Sequence, residues 1–203
     1  MPHTLSMILC LFLALAAAAQ SPDAGAKMLK LSRHRVVAAK FVQIRRIAEL
    51  DMEVRSTGSM VSELDGRLRW QVDSPVRSVT LIDREKLTHF DGDTGKVAVI
   101  EQEKFPWLKM LRGALDDWLS GDPKRIAERF DVTVPRPDVL HLVPRDAMLK
   151  KLCRSVDITI AASGDAISSI RIEEQSGDTL EFRFSEVVND PQLPPDIWRM
   201  PPR

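Results

Sequence analysis

The chain has no tyrosine, two cysteines, four histidines and nine glycines in 203 residues. Each scarcity removes a class of protein. Cys10 and Cys153 cannot build the disulfide framework of a small secreted scaffold, so a hydrophobic core has to hold the fold. His34, His89 and His141 are scattered and lack the short paired spacing of zinc ligands. No Gly-x-Ser-x-Gly elbow occurs, no histidine lies near Cys153, and no glycine motif could cradle a phosphate. The segment from Asp91 to Gly95 opens like a calcium loop, but Lys96 and Gln102 stand where Gly and Glu belong. It reads as a hairpin turn. Basic and acidic side chains balance at 29 each, without the basic excess of a whole-surface nucleic-acid binder. These residues point to no enzyme, no cofactor and no metal ion.

Charge is also missing from the first twenty residues, and there the absence is informative. Met7 to Ala18 is an apolar run that ends in Ala16-Ala17-Ala18-Ala19. It is shorter than the roughly 20 residues that cross a bilayer, and a short apolar run before small residues is the pattern of a cleaved export signal. The expectation is a signal peptide over 1–19 and a single domain over 20–203, exported to the periplasm of a Gram-negative cell. Cleavage would leave Cys153 as the one thiol.

The rest reads mainly as strands. Residues 24–36 have a roughly helical spacing of Met28, Leu29 and Leu31 among basic residues, which predicts a short amphipathic helix. From Val37 a period of two takes over. Arg67 to Asp73 alternates without a break, placing Leu68, Trp70 and Val72 on a buried face and both arginines away from it. Ser78–Ile82, Lys86–Phe90 and Lys96–Ile100 follow as strands. Later come Phe130 to Val134, Val139 to Val143, and three runs carried by Val156/Ile158/Ile160, Ile170/Ile172 and Leu180/Phe182/Phe184, with Ser-Gly-Asp turns between them. His141 is out of phase with Leu140 and Leu142, so it faces solvent. Ten or eleven strands in an antiparallel meander result. Between the two strand sets, Leu108, Leu111, Leu115, Trp118 and Leu119 recur at helical spacing. Gly121, Asp122 and Pro123 supply a stop and a new start, giving helices near 105–120 and 122–129. Such helices can cover the mouth of a curled sheet.

Two features remain. The tryptophans and phenylalanines either fill a core or line a cavity under a helical lid bearing Trp107, Met110, Leu111 and Trp118. Seven basic residues, Lys27, Lys30, Arg33, Arg35, Lys40, Arg45 and Arg46, precede the next acid, Glu49. They form either a solvated face or a dock for an acidic partner or an anionic membrane.

Certain residues in order resemble a known family. They are Phe41-x-Gln43, Gly58, Gly66 to Trp70 with Pro75, the Val79–Phe90 strand pair, Phe130-x-Val132, Leu140 to Arg145, and the Ile170–Phe184 hairpin. Over about residues 27–188 the chain resembles the LolA family of periplasmic outer-membrane lipoprotein carriers, in its LolA-like branch. The resemblance implies an incomplete, half-open antiparallel β-barrel of about eleven strands covered by short helices, acting as a monomer. Its cavity would accept the acyl chains of a lipoprotein or other lipid cargo, taken from an inner-membrane transporter and passed to an outer-membrane acceptor, with no nucleic acid involved. Here the wall would comprise Phe41, Leu68, Trp70, Leu81, Phe90, Phe130, Leu142, Ile158, Ile172, Phe182 and Phe184. The lid would add Trp107, Met110, Leu111, Leu115 and Trp118. Leu64-Asp65 stands where family carriers have Arg-Pro or Lys-Pro, so a lid-contacting arginine does not carry over. Two alternatives resemble the same branch: a partner of a lipid or pigment exporter, and a non-transporting periplasmic sensor.

Overall fold

In the computed structural model, residues 30–31, 34–64, 66–101 and 128–201 are described. Eleven strands lie among them: β1 (Val36–Ile47), β2 (Met52–Glu63), β3 (Leu68–Ser74), β4 (Ser78–Ile82), β5 (Lys86–Asp91), β6 (Val97–Glu101), β7 (Phe130–Arg136), β8 (Val139–Pro144), β9 (Cys153–Ile160), β10 (Ile167–Glu174) and β11 (Thr179–Asn189). One short helix, α1 (Ala147–Leu152), separates β8 from β9. The strands form one antiparallel sheet in the order β6-β5-β4-β3-β2-β1-β11-β10-β9-β8-β7. Among the described strands, only the hydrogen-bonded pair β1–β11 joins strands far apart in sequence; every other sheet neighbour follows along the chain.

Alternation explains which face is buried. Leu68 and Trp70 of β3 sit opposite Ile82 and Thr80 of β4, and these sit opposite Leu87 and His89 of β5. Leu87 of β5 and Phe130 of β7 stand near opposite ends of the strand order, yet both belong to one contiguous buried cluster. The sheet therefore curls round its apolar face, and we call that face the inner one. The outermost strands, β6 and β7, are not hydrogen-bonded to each other, so the barrel stays open.

The meander expected from the sequence is present, with three differences. The helix expected over 24–36 does not reach its end, because His34 and Arg35 are irregular and β1 starts at Val36; Lys30 and Leu31 are helical. The segment Met52–Glu63, which the alternation pattern does not single out, forms a 12-residue strand paired along β1. The Lys150-Lys151 stretch is a helical turn capped by Asp146, whose carboxylate accepts the Leu149 amide at 3.1 Å. The helices expected at 105–120 and 122–129 lie outside the described residues, apart from Glu128 and Arg129, which are helical.

Candidate functional site

The middle of the inner face is an aromatic floor. Phe41 of β1 stacks on Trp70 of β3 with centroids 4.0 Å apart and planes 20° from parallel. Phe182 of β11 meets both rings edge-on, at 5.4 Å from Trp70 and 6.4 Å from Phe41. Each such pair adds about 0.5–1.5 kcal/mol beyond area burial. The stack needs the strand between its members to carry no side chain, and Gly58 of β2 is the register partner of Phe41. A Cβ there would lie 2.7 Å from Phe41 Cζ and 1.9 Å from the Gln71 carbonyl oxygen. Phe184 is paired with Phe41 across β1 and β11 and packs, half-buried, against the cluster.

From this floor toward β7 the inner wall is apolar. One cross-strand row runs Val132, Leu142, Val156, Ile172, Leu180; another runs Leu140, Ile158, Ile170, Phe182. Phe130, Leu142, Ile158 and Ile172 are all buried. Toward β6 the wall changes. Its central row runs Met60, Trp70, Thr80, His89, Ala98, so two polar side chains enter the wall. Thr80 is buried, and its Oγ1 lies 2.8 Å from His89 Nδ1. Burial lowers the pKa of His89, and the nearby Asp91 only partly opposes this, so the imidazole is neutral at pH 7.

Charge closes one end of the inner face. Arg45 donates from Nη1 and Nη2 to both oxygens of Glu174, at 2.9 and 3.1 Å, and from Nη2 to Asp178 at 3.1 Å. Burial disfavours the Arg45 charge, but the Glu174 and Asp178 carboxylates outweigh it and raise the pKa. Other members of the basic run are matched as well: Lys40 with Glu186 at 2.8 Å and Arg46 with Asp51 at 3.7 Å. Glu174, Asp178 and Glu186 from distant segments, and Asp51 from five residues on, thus answer the part of the run that lies in β1.

Leu81 and Phe90 correct the expectation that they line the cavity. Leu81 is the partner of Arg69, and Phe90 is the partner of Val79, which faces Gln71; this is the phase opposite to Trp70. Both alternate positions of β4 carry apolar residues, so its period does not show which set faces inward. Phe90 and Val79 are nevertheless buried. The C-terminal tail crosses this outer face, tied down by Arg69, whose Nη1 donates to the carbonyls of Ile197 and Arg199, each at 2.9 Å. The Arg67 guanidinium lies 4.9 Å above the Trp198 ring and pairs with Glu63, which accepts the Trp198 Nε1–H at 3.2 Å. Burial, then Arg77, lowers the pKa of Arg69, while Asp196 opposes them. Nothing in the tail's composition marks it as an element.

His141 is on the outer face, 2.6 Å from Asp157. The Asp91 turn is a hairpin turn whose carboxylate accepts the amides of Asp93 and Thr94, and that bonding lowers its pKa. Cys153 is buried, which pushes its thiol up to about 11. Among the described residues no group of three or more His, Cys, Asp or Glu could hold a metal. Trp107, Met110, Leu111, Leu115 and Trp118 lie outside the described residues.

The family model for the outer membrane lipoprotein carrier protein LolA matches residues 32–201. The chain belongs to the LolA family. Its relatives include the outer-membrane lipoprotein carrier protein of Legionella pneumophila (strain Paris), 26% identical over 174 residues, 85% of this chain and 82% of that one. The protein of the same name from Coxiella burnetii (strain RSA 331) is 27% identical over 165 residues, 79% and 74% of the two chains. A conserved protein from Thermus thermophilus shares the fold at a TM-score of 0.54 and 11% identity, covering 91% of this chain and 96% of that one. In the Pseudomonas aeruginosa MucA/MucB complex, a chain of which 60% is covered shares it at 0.52 and 13% identity, over 88% of this chain. These two structural likenesses are of fold alone.

Proposed function

We propose that this chain is a periplasmic carrier that shields the acyl chains of a lipoprotein, or a related lipid cargo, against its inner face and moves it from the inner to the outer membrane. The observation that carries the reading is the uninterrupted apolar wall from Phe182 to Val132, in a member of a family described as lipoprotein carriers. Exposing an acyl chain to water costs about 0.8 kcal/mol per CH₂, so crossing an aqueous compartment calls for an apolar container. Binding and release suffice for this task, and no bond has to be made or broken. Residues 1–19 would direct export and be removed, and 20–203 would act as one domain. A transporter in the inner membrane would supply the cargo and an acceptor in the outer membrane would receive it.

Native mass spectrometry of protein taken from its own periplasm tests this directly. A bound diacyl or triacyl lipoprotein supports the reading, and another bound lipid shifts it to a lipid or pigment carrier. Protein that is always empty, and that also fails to bind a synthetic lipopeptide, overturns carriage and leaves the sensor alternative.

A further inference from the structure

The two halves of the inner wall are chemically unequal. In the β7–β10 half, the rows that reach the aromatic floor contain only aliphatic side chains. In the β3–β6 half, the row that starts at Trp70 continues through Thr80 and His89. A buried hydroxyl and a half-buried imidazole displace apolar area from the wall, and a polar group in such a place costs stability unless it is bonded. The Thr80–His89 contact satisfies Nδ1. Nε2 has no hydrogen-bond partner among the described residues.

With the Thr80 hydroxyl donating to Nδ1, the proton of the neutral ring sits on Nε2, and that nitrogen becomes a donor fixed in direction by its neighbour. The head of a diacylglyceryl group offers ester carbonyl oxygens, which accept hydrogen bonds, and below them only methylenes. Resting on the carrier reading, we infer that His89 donates from Nε2 to an ester carbonyl at the head of the cargo's acyl chains. Thr80 acts as the positioning residue. The heads then lie toward β4–β6 and the chains run over the aromatic floor along β7–β10. The lowered pKa of His89 agrees with this, since a neutral ring can stand beside methylenes where an imidazolium could not.

The experiment compares two lipopeptides on the full mature chain. One carries S-(2,3-dipalmitoyloxypropyl)cysteine at its N-terminus; the other is its dialkyl ether analogue, equal in chain length but without ester carbonyls. The wild type is expected to bind the ester about two- to twelvefold more tightly, the range of one neutral hydrogen bond. His89→Leu should bind both equally, and Thr80→Val should keep less than half of the discrimination, while both retain ether binding. If His89→Leu does not fold, His89→Phe reads the same ratio with a closer match in volume. Discrimination that survives in the His89 variant overturns the inference, as does a wild type that binds both lipids equally. A wild type that binds neither overturns the carrier reading itself.

Discussion

Replacing Gly58 with alanine probes the centre of the inner face with a single methyl group. The added Cβ would stand 1.9 Å from the Gln71 carbonyl oxygen and 2.7 Å from Phe41 Cζ. A ring can tilt away, but a carbonyl in a strand ladder cannot. The register slips beside this residue, with Thr57 opposite Ser74 and Gly58 opposite Val72, so β2 and β3 approach closely where they would have to separate. Overpacking costs about 1–3 kcal/mol when side chains can adjust, and a backbone conflict belongs at the upper end. About 3 kcal/mol in a chain of this size lowers the melting midpoint by about 6–12 °C. Thermal unfolding followed by circular dichroism measures this, and the near-ultraviolet band reports on the Phe41–Trp70 stack. Phe41→Leu added to Gly58→Ala removes the 2.7 Å conflict and leaves the 1.9 Å one, so it should recover little of the loss. Gly95→Ala is the control: Gly95 has φ +64° with open space around it, so only left-handed strain of about 1–2 kcal/mol applies. A Gly58→Ala protein that melts within about 2 °C of wild type refutes the reasoning.

Three further outcomes are expected. Arg69→Ala removes both donors to the tail carbonyls, and the tail should be trimmed by carboxypeptidase at least tenfold faster; an unchanged rate would show that Trp198 alone holds it. Cys153, buried with its thiol pushed up to about 11, should react with a disulfide reagent at pH 8 only as fast as the protein unfolds, and immediate full labelling would contradict its placement. His89 has a folded pKa below its unfolded value, so the unfolded chain takes up the proton first as pH falls. The resulting destabilisation should begin near the ordinary histidine value of 6.5 and be complete below the folded pKa. Urea midpoints between pH 7 and pH 5 should therefore fall less for His89→Gln than for wild type.

The sequence made β3 legible because Leu68, Trp70 and Val72 alternate with charged or amide side chains, and a half-buried strand has no other face to offer. In β4 both Val79/Leu81 and Thr80/Ile82 are plausible inward sets, and the outcome was decided by partners a single sequence does not display. Thr80 faces inward because Trp70 does and because His89 answers it; Val79 and Phe90 take the opposite phase and are buried on the outer face, the face on which Arg69 holds the tail. The same limit hid the Arg45 cluster. Arg45 looked like one member of a basic run, and its carboxylates lie 129 and 133 residues away. Local periodicity reports how one segment is solvated. It does not report what is folded over it.

A filled core and a cargo wall were opposed readings of the same aromatic residues, and the three at the centre of the sheet pack on one another as a core. Phe41, Trp70 and Phe182 satisfy one another at the centre of the sheet, over a glycine that admits the stack, and require no guest to stay packed. A carrier that relied on cargo to complete its core would unfold on each empty return, since binding energy would then be folding energy. Under the carrier reading, the floor supplies the stability and the aliphatic rows on the β7–β10 side supply the surface for the chains. Acyl chains leaving such a wall for a bilayer exchange one apolar contact for another, so the roughly 0.8 kcal/mol per CH₂ that prevents escape into water does not oppose release into a membrane. Hydrogen bonds at the chain heads, made by side chains such as His89, are then the contacts able to set which lipid is kept and which is let go.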